Sequence, residues 1–252
     1  MRDLSRRKPL RGYPDHSTTH PHARNAYQAR YQDRLGREAM WQSERPITEQ
    51  IFTELAPKRR LNFPAGNGRI AAAPERCLPA CEIHDIDISN NMLAVARSKW
   101  SRLTFHAMDG RRALNEFGKE AFDVVSAFRF FPNADQPLRK DVAEQISGLI
   151  KPGGHVVLNN HRNFWSTSYV AMRAAGNSDG KYESHNAAKK TSSCKEAFPC
   201  TQIFACRMAT NRLPPVLLSW SATSAPERFN VRYLSRTHTL GYNMILVFRK
   251  SV

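Results

Sequence analysis

The chain has 252 residues, 41% of them apolar and 10% aromatic, which suits one domain with a sizeable core. Its formal net charge is +16. No apolar run approaches the ~20 residues of a membrane helix. The arginine-rich start contains Asp3 and lacks an apolar core, so no secretory signal is read. Five cysteines without a CxxC pair read as reduced thiols, and the expectation is a cytoplasmic protein with no bound metal.

Residues 1–22 are polar, basic and rich in His and Pro, and read as a flexible basic arm. Residues 23–57 read as an N-terminal helical cover. Its first helix runs from Ala23 to about Gln42, with Tyr27, Tyr31 and Leu35 on one face. Pro46 suits the first turn of a second helix, whose apolar stripe is Ile47, Ile51 and Leu55.

Residues 58–252 read as one α/β unit. Leu61-Asn-Phe-Pro-Ala-Gly-Asn-Gly-Arg69 is a short apolar run ending in a tight glycine turn, and Ile70-Ala-Ala-Ala73 can open a helix. A strand feeding such a turn lets backbone approach a nucleotide-like ligand, with free N–H groups at the helix start. Pro74 and Pro79 predict that this helix is short or broken. Glu82–Ser89 reads as a second strand ending in Asp87, an acid about 20 residues past the glycines, where such folds hold ribose hydroxyls. Ser89 can cap a helix over Asn90–Lys99.

Further strands are read at Leu103–Asp109, Phe122–Phe128 and from His155 onward, after the turn Lys151-Pro-Gly-Gly154. Helices are read at Arg111–Phe117 and Leu138–Ile150, the latter burying Val142, Ile146, Leu149 and Ile150. Arg129–Asn133 and Asn159–Asn163 then fall at strand C-termini, where open α/β sheets bind ligands. Phe164–Ala175 can be helical, and a polar insertion spans about 176–200. Thr201–Met208 and Tyr242–Arg249 read as the last strands.

The charge is uneven. Residues 1–60 carry 13 basic and 7 acidic side chains (+6), 61–154 carry 12 and 11 (+1), and 155–252 carry 13 and 4 (+9). A nearly neutral centre with basic flanks favours an anionic small molecule, an acidic lipid surface or RNA.

The glycine loop, Asp87-Ile-Ser89 followed by Met92-Leu93 and Ala96-Arg97, the turn at Asp109, the Phe122-Asp-Val-Val125 strand and Lys151-Pro-Gly-Gly154 occur in one order. In these pieces, across roughly 58–160, the chain resembles the class I S-adenosylmethionine-dependent methyltransferases. The resemblance implies a Rossmann-like sheet of seven mostly parallel strands with helices on both faces and the last strand antiparallel. It implies S-adenosylmethionine as cofactor. Ala65, Gly66, Asn67 and Gly68 would approach its methionine part, and Asp87 would accept from the ribose hydroxyls. Ile88 and Met92 would pack on the adenine, Asp109 and the Gly110 backbone would read its edge, and Ala127 and Phe128 would pass behind it. Family N-terminal helices cover the active site, which would turn Tyr27, Tyr31, Trp41 and Arg45 towards cofactor or substrate.

Two positions depart from the family, which has an acid in place of Asn62 and a glycine in place of Pro64. Asn62 can hydrogen-bond the cofactor but brings no charge to its ammonium, and Asn62→Asp is expected to tighten binding. His161 is the candidate general base, because its titration range suits proton removal near neutral pH. Arg129, Arg162 and Asn163 are candidates for holding an anionic substrate. No Asn-Pro-Pro-aromatic tetrapeptide or catalytic cysteine pattern is present, which weakens nucleobase methylation. The leading expectation is methyl transfer to a small-molecule acceptor. RNA methylation and a non-catalytic binding role are the alternatives.

Overall fold

The computed structural model describes residues 35–131, 134, 136–161, 200–206 and 243–250. The basic arm, Tyr27 and Tyr31, the Phe164–Ala175 segment and nearly all of the polar insertion lie outside these residues.

A seven-stranded sheet runs in the order β3-β2-β1-β4-β5-β7-β6. Its strands are β1 (Arg59–Asn62), β2 (Glu82–Asp87), β3 (Thr104–Ala107), β4 (Phe122–Ala127), β5 (Ile150–His161), β6 (Cys200–Cys206) and β7 (Asn243–Arg249). The first five pair in parallel, and β7 lies antiparallel between β5 and β6. This is the expected sheet. Parallel strands are reached through crossovers that put helices on both faces, and their sequences become apolar on both sides.

Alternate residues of the central strands enter two cores. On one face Leu61, Ile86, Val125, Val156, Leu158 and Leu246 pack with Leu138, Val142, Ile146 and Leu149. Those last four come from α5 (Gln136–Leu149). On the other face Val124, Val157, Ile245 and Val247 pack with Trp41, Ile47, Ile51 and Phe52. These belong to α1 (Leu35–Leu55). The stripe expected from Ile47 and Ile51 is therefore a core face.

Two expectations change in detail. The N-terminal region does not break before Pro46, because α1 continues through that proline. Proline removes one backbone donor, and nearby the Thr48 hydroxyl donates to the Glu44 carbonyl at 2.7 Å. The helix expected to include Ile150 ends at Leu149, and Lys151-Pro-Gly-Gly154 lies within the span of β5. The pairing there shifts between Phe122↔Ile150 and Val124↔His155, a bulge that absorbs the proline and glycines.

The helices nearest the glycine turn follow their sequence signals. After the turn, α2 is short (Ala72–Cys77), as the prolines required. Ser89 caps α3 (Asn90–Arg97) by accepting from the Met92 amide. A 3₁₀ turn over Gly110–Arg112 leads into α4 (Ala113–Phe117).

Candidate cofactor site

The C-terminal ends of β1, β2 and β4 converge on the segment from Phe63 to Gly68. Phe63 N donates to Ser126 O at 3.0 Å and Ala65 N to Ile86 O at 2.8 Å, tying the loop to both flanking strands. Gly66 and Gly68 have φ of +56° and +78°, a region that strains residues with a Cβ. A Cβ on Gly68 would stand 2.7 Å from the Trp100 indole. Gly68→Ala is therefore expected to cost at least 1–2 kcal/mol, roughly the left-handed penalty alone. Urea unfolding checks it, and an unchanged midpoint would contradict the tight packing.

Asp87 closes the loop onto β2. One carboxylate oxygen accepts from Gly66 N at 2.7 Å and the other from Ser89 N at 2.8 Å. Burial pushes this carboxyl above its usual range, against the bonds from Ser89, Gly66 and Ile88, which favour the charged form. Next to it, Ile88 is 59% exposed, the one exposed large hydrophobic side chain among the described residues. Met92 is buried with its Cε 3.9 Å from where a Gly66 Cβ would stand. Asp87, Ile88, Met92 and the glycines therefore meet at one place.

Asp109 lies at the end of β3. It caps the 3₁₀ turn by accepting from Arg111 N at 2.9 Å, and its carboxylate also holds the Arg111 side chain. Burial works to raise this carboxyl, but the Arg111 contacts outweigh it and leave it below the usual range. Gly110 faces the Phe63 ring, 3.4 Å from where its Cβ would be. Ala127 and Phe128 are buried at the end of β4. Asn62 is also fully buried, with both ends of its amide bonded to protein groups: Nδ2 donates to Asp85 at 2.6 Å and Oδ1 accepts from Ser126 at 2.9 Å.

The candidates for the acceptor separate into two groups. Trp41 carries the Arg69 guanidinium over its ring at 5.0 Å, next to the glycine turn. Arg129 has φ +61°, its amide donates to Asn159 Oδ1, and its guanidinium lies 3.5 Å from buried Glu44 of α1. Arg45 instead pairs with Glu49 on its own helix at 3.8 Å. His161 ends β5, with its backbone paired to Asn243. Arg162 and Asn163 lie outside the described residues. Sequence reasoning missed Glu44 and Arg69 as members of this region, whereas Asn159 belongs to the polar stretch expected at a strand C-terminus.

This strand order, with a glycine turn after β1 and an acid at the end of β2, defines a class I, Rossmann-like methyltransferase fold. Residues 61–154 match the methyltransferase-domain family. A demethylmenaquinone methyltransferase of Chlorobaculum parvum is 30% identical over 125 residues, 48% of this chain and 48% of its own. The chain thus spans about half the length of that curated relative. Among solved structures, a SAM-dependent methyltransferase from Archaeoglobus fulgidus superposes with a TM-score of 0.59 at 12% identity, over 90% of this chain and 99% of that one. The N-methyltransferase NodS from Bradyrhizobium japonicum, in complex with S-adenosyl-L-homocysteine, gives 0.51 at 17% identity, over 82% and 87%. At these identities the structures establish the fold.

Proposed function

We propose that the chain binds S-adenosylmethionine and transfers its methyl group to a small-molecule acceptor. The observation that carries this reading is Asp87, a buried carboxylate bonded to the Gly66 amide beside the exposed face of Ile88. The residues fit such a ligand. Two positive-φ glycines leave the backbone open, a carboxylate can accept from a diol, and an apolar side chain can meet a planar ring. Ala65, Gly66, Asn67 and Gly68 take the methionine part, with Asn62 beneath them. Asp87 holds the ribose, Ile88 and Met92 the adenine, and Asp109 with the Gly110 backbone its edge. Ala127 and Phe128 form the wall behind.

The cofactor supplies an activated methyl group, so the protein chiefly aligns the acceptor and excludes water. Trp41, Arg45 and Arg129 are assigned to acceptor binding, with Tyr27, Tyr31, Arg162 and Asn163 from outside the described residues. His161 is assigned as the base where the acceptor starts protonated. A small-molecule acceptor draws support from the curated relative, whose name gives a quinone-type substrate. The basic flanks, +6 and +9, favour an anionic acceptor and keep RNA as the second reading.

Calorimetric titration with S-adenosylhomocysteine tests the cofactor. Saturable binding with a Kd of about 1–100 μM, corresponding to roughly −8 to −5 kcal/mol, is expected. No heat at high protein concentration would overturn the enzyme reading and favour a non-catalytic binding protein. Tight, salt-sensitive RNA binding would favour the second reading over the first.

A further inference from the structure

Asp85, Asn62 and Ser126 stand side by side on three adjacent strands, with Asn62 paired to Asp85 on one side and to Ser126 on the other. All three are at 0% exposure, as is Arg60. Arg60 Nη2 donates to Ser126 Oγ at 2.8 Å, Ser126 Oγ donates to Asn62 Oδ1 at 2.9 Å, and Asn62 Nδ2 donates to Asp85 Oδ1 at 2.6 Å. The other Asp85 oxygen is buried with no hydrogen-bond partner. The Arg60 guanidinium lies 4.2 Å from the Phe52 ring centroid, under α1.

A sheet covered on both faces normally fills such positions with aliphatic side chains. Buried charged groups seldom stabilise more than apolar groups of the same size would, so stability is a poor account of this row. Its place is a better one. Asn62 is the last residue of β1, and the next residue opens the glycine loop. The loop's first amide, Phe63 N, bonds to the same Ser126 backbone. An asparagine amide has two orientations with opposite donor patterns. An ionised carboxylate accepts only, so Asp85 fixes the donor end towards β2 and the acceptor end towards the Ser126 hydroxyl. Arg60 supplies a nearby positive charge that favours the ionised form of Asp85. Burial pushes Asp85 up to about 6, opposed by Arg60 and the Asn62 bond and reinforced by neighbouring Asp87.

We propose that Asp85, acting through Asn62, is a positioning residue for the Phe63–Gly68 loop and hence for the methionine end of the cofactor. The proposal rests on the cofactor reading above. It also changes the expectation for Asn62→Asp. That substitution sets a second carboxylate where the amide now donates at 2.6 Å to Asp85, so it weakens binding instead of tightening it. The charge can occupy either strand, but not both.

Titrations with S-adenosylhomocysteine, run below the unfolding temperature of every protein, test this. Asp85→Asn keeps the shape and removes the charge. Asn62→Asp doubles the charge, and Asn62→Asp/Asp85→Asn exchanges the two groups. Each single variant is expected to bind about ten-fold more weakly, and the exchange to return to within about three-fold of wild type, the coupling of residues in direct contact. Arg60→Met/Asp85→Asn removes both buried charges together. It is expected to fold even if Asp85→Asn does not, and to stay about ten-fold weak. A purely structural role would move unfolding temperatures in this series and leave the Kd of folded protein unchanged. Wild-type affinity in either Asp85→Asn protein, or no recovery on exchange, overturns the proposal while the cofactor reading stands. A wild type that does not bind overturns that reading, and the proposal with it.

Discussion

Asp87→Ala is expected to weaken S-adenosylhomocysteine binding by about 10- to 150-fold, the value of 1.5–3 kcal/mol for hydrogen bonds to a charged group. In the free protein the carboxylate already accepts from Gly66 N and Ser89 N. Alanine removes both acceptors, so part of the loss arises from a loosened loop. Asp87→Asn separates the contributions, because its one oxygen can still accept from one of the two amides. It should fall between wild type and alanine. Calorimetry on protein shown to be folded by circular dichroism is the measurement. Unchanged affinity in folded Asp87→Ala would remove Asp87 from the site. The pH dependence has a definite sign. Burial raises this carboxyl, so its charged form fills in later than a free carboxyl's as pH rises. Binding that needs an accepting carboxylate is therefore expected to weaken on acidification before exposed carboxyls titrate.

The features legible in the sequence are those written in local order. The glycines at 66 and 68 and the Ser89 cap show in stretches of a few residues, the acid at 87 ends the next strand, and the structure joins Gly66, Asp87, Ser89 and Met92 through hydrogen bonds. Apolar strands alternating with helical patterns specified the layers, because burial on both faces leaves the same mark on every central strand. The polar row was not legible. Asp85 is an ordinary residue of β2 until the register sets it against Asn62, 23 positions away in the chain. Arg60 reads as surface charge in a basic stretch, yet it is fully buried because Ser126 and Phe52 arrive from β4 and α1. Periodicity likewise found the stripe of α1 but not its continuity through Pro46, since packing of Ile47, Ile51 and Phe52 on the sheet overrides a local break.

The largest effect on stability is expected at Phe122, well away from the proposed site. Its side chain is at 0% exposure at the start of β4. The ring meets Phe117 edge-on at 5.2 Å and His84 at 5.7 Å, and the Arg59 guanidinium lies 4.9 Å from its centroid. Phe122→Ala opens a cavity beneath all three and is expected to cost about 3–5 kcal/mol. That is a large part of the roughly 5–15 kcal/mol that holds a domain folded. Phe122→Leu refills much of the volume and is expected to cost less than half as much. Urea unfolding should show a lower midpoint with little change in slope. Phe122 and Ala127 stand at opposite ends of β4, roughly 16 Å apart at the usual rise per residue. The folded fraction should therefore bind S-adenosylhomocysteine within about two-fold of wild type, as expected for distant, uncoupled sites. A loss below 1 kcal/mol would contradict the burial of Phe122. A ten-fold loss of affinity in folded protein would show that the aromatic cluster and the glycine loop move together.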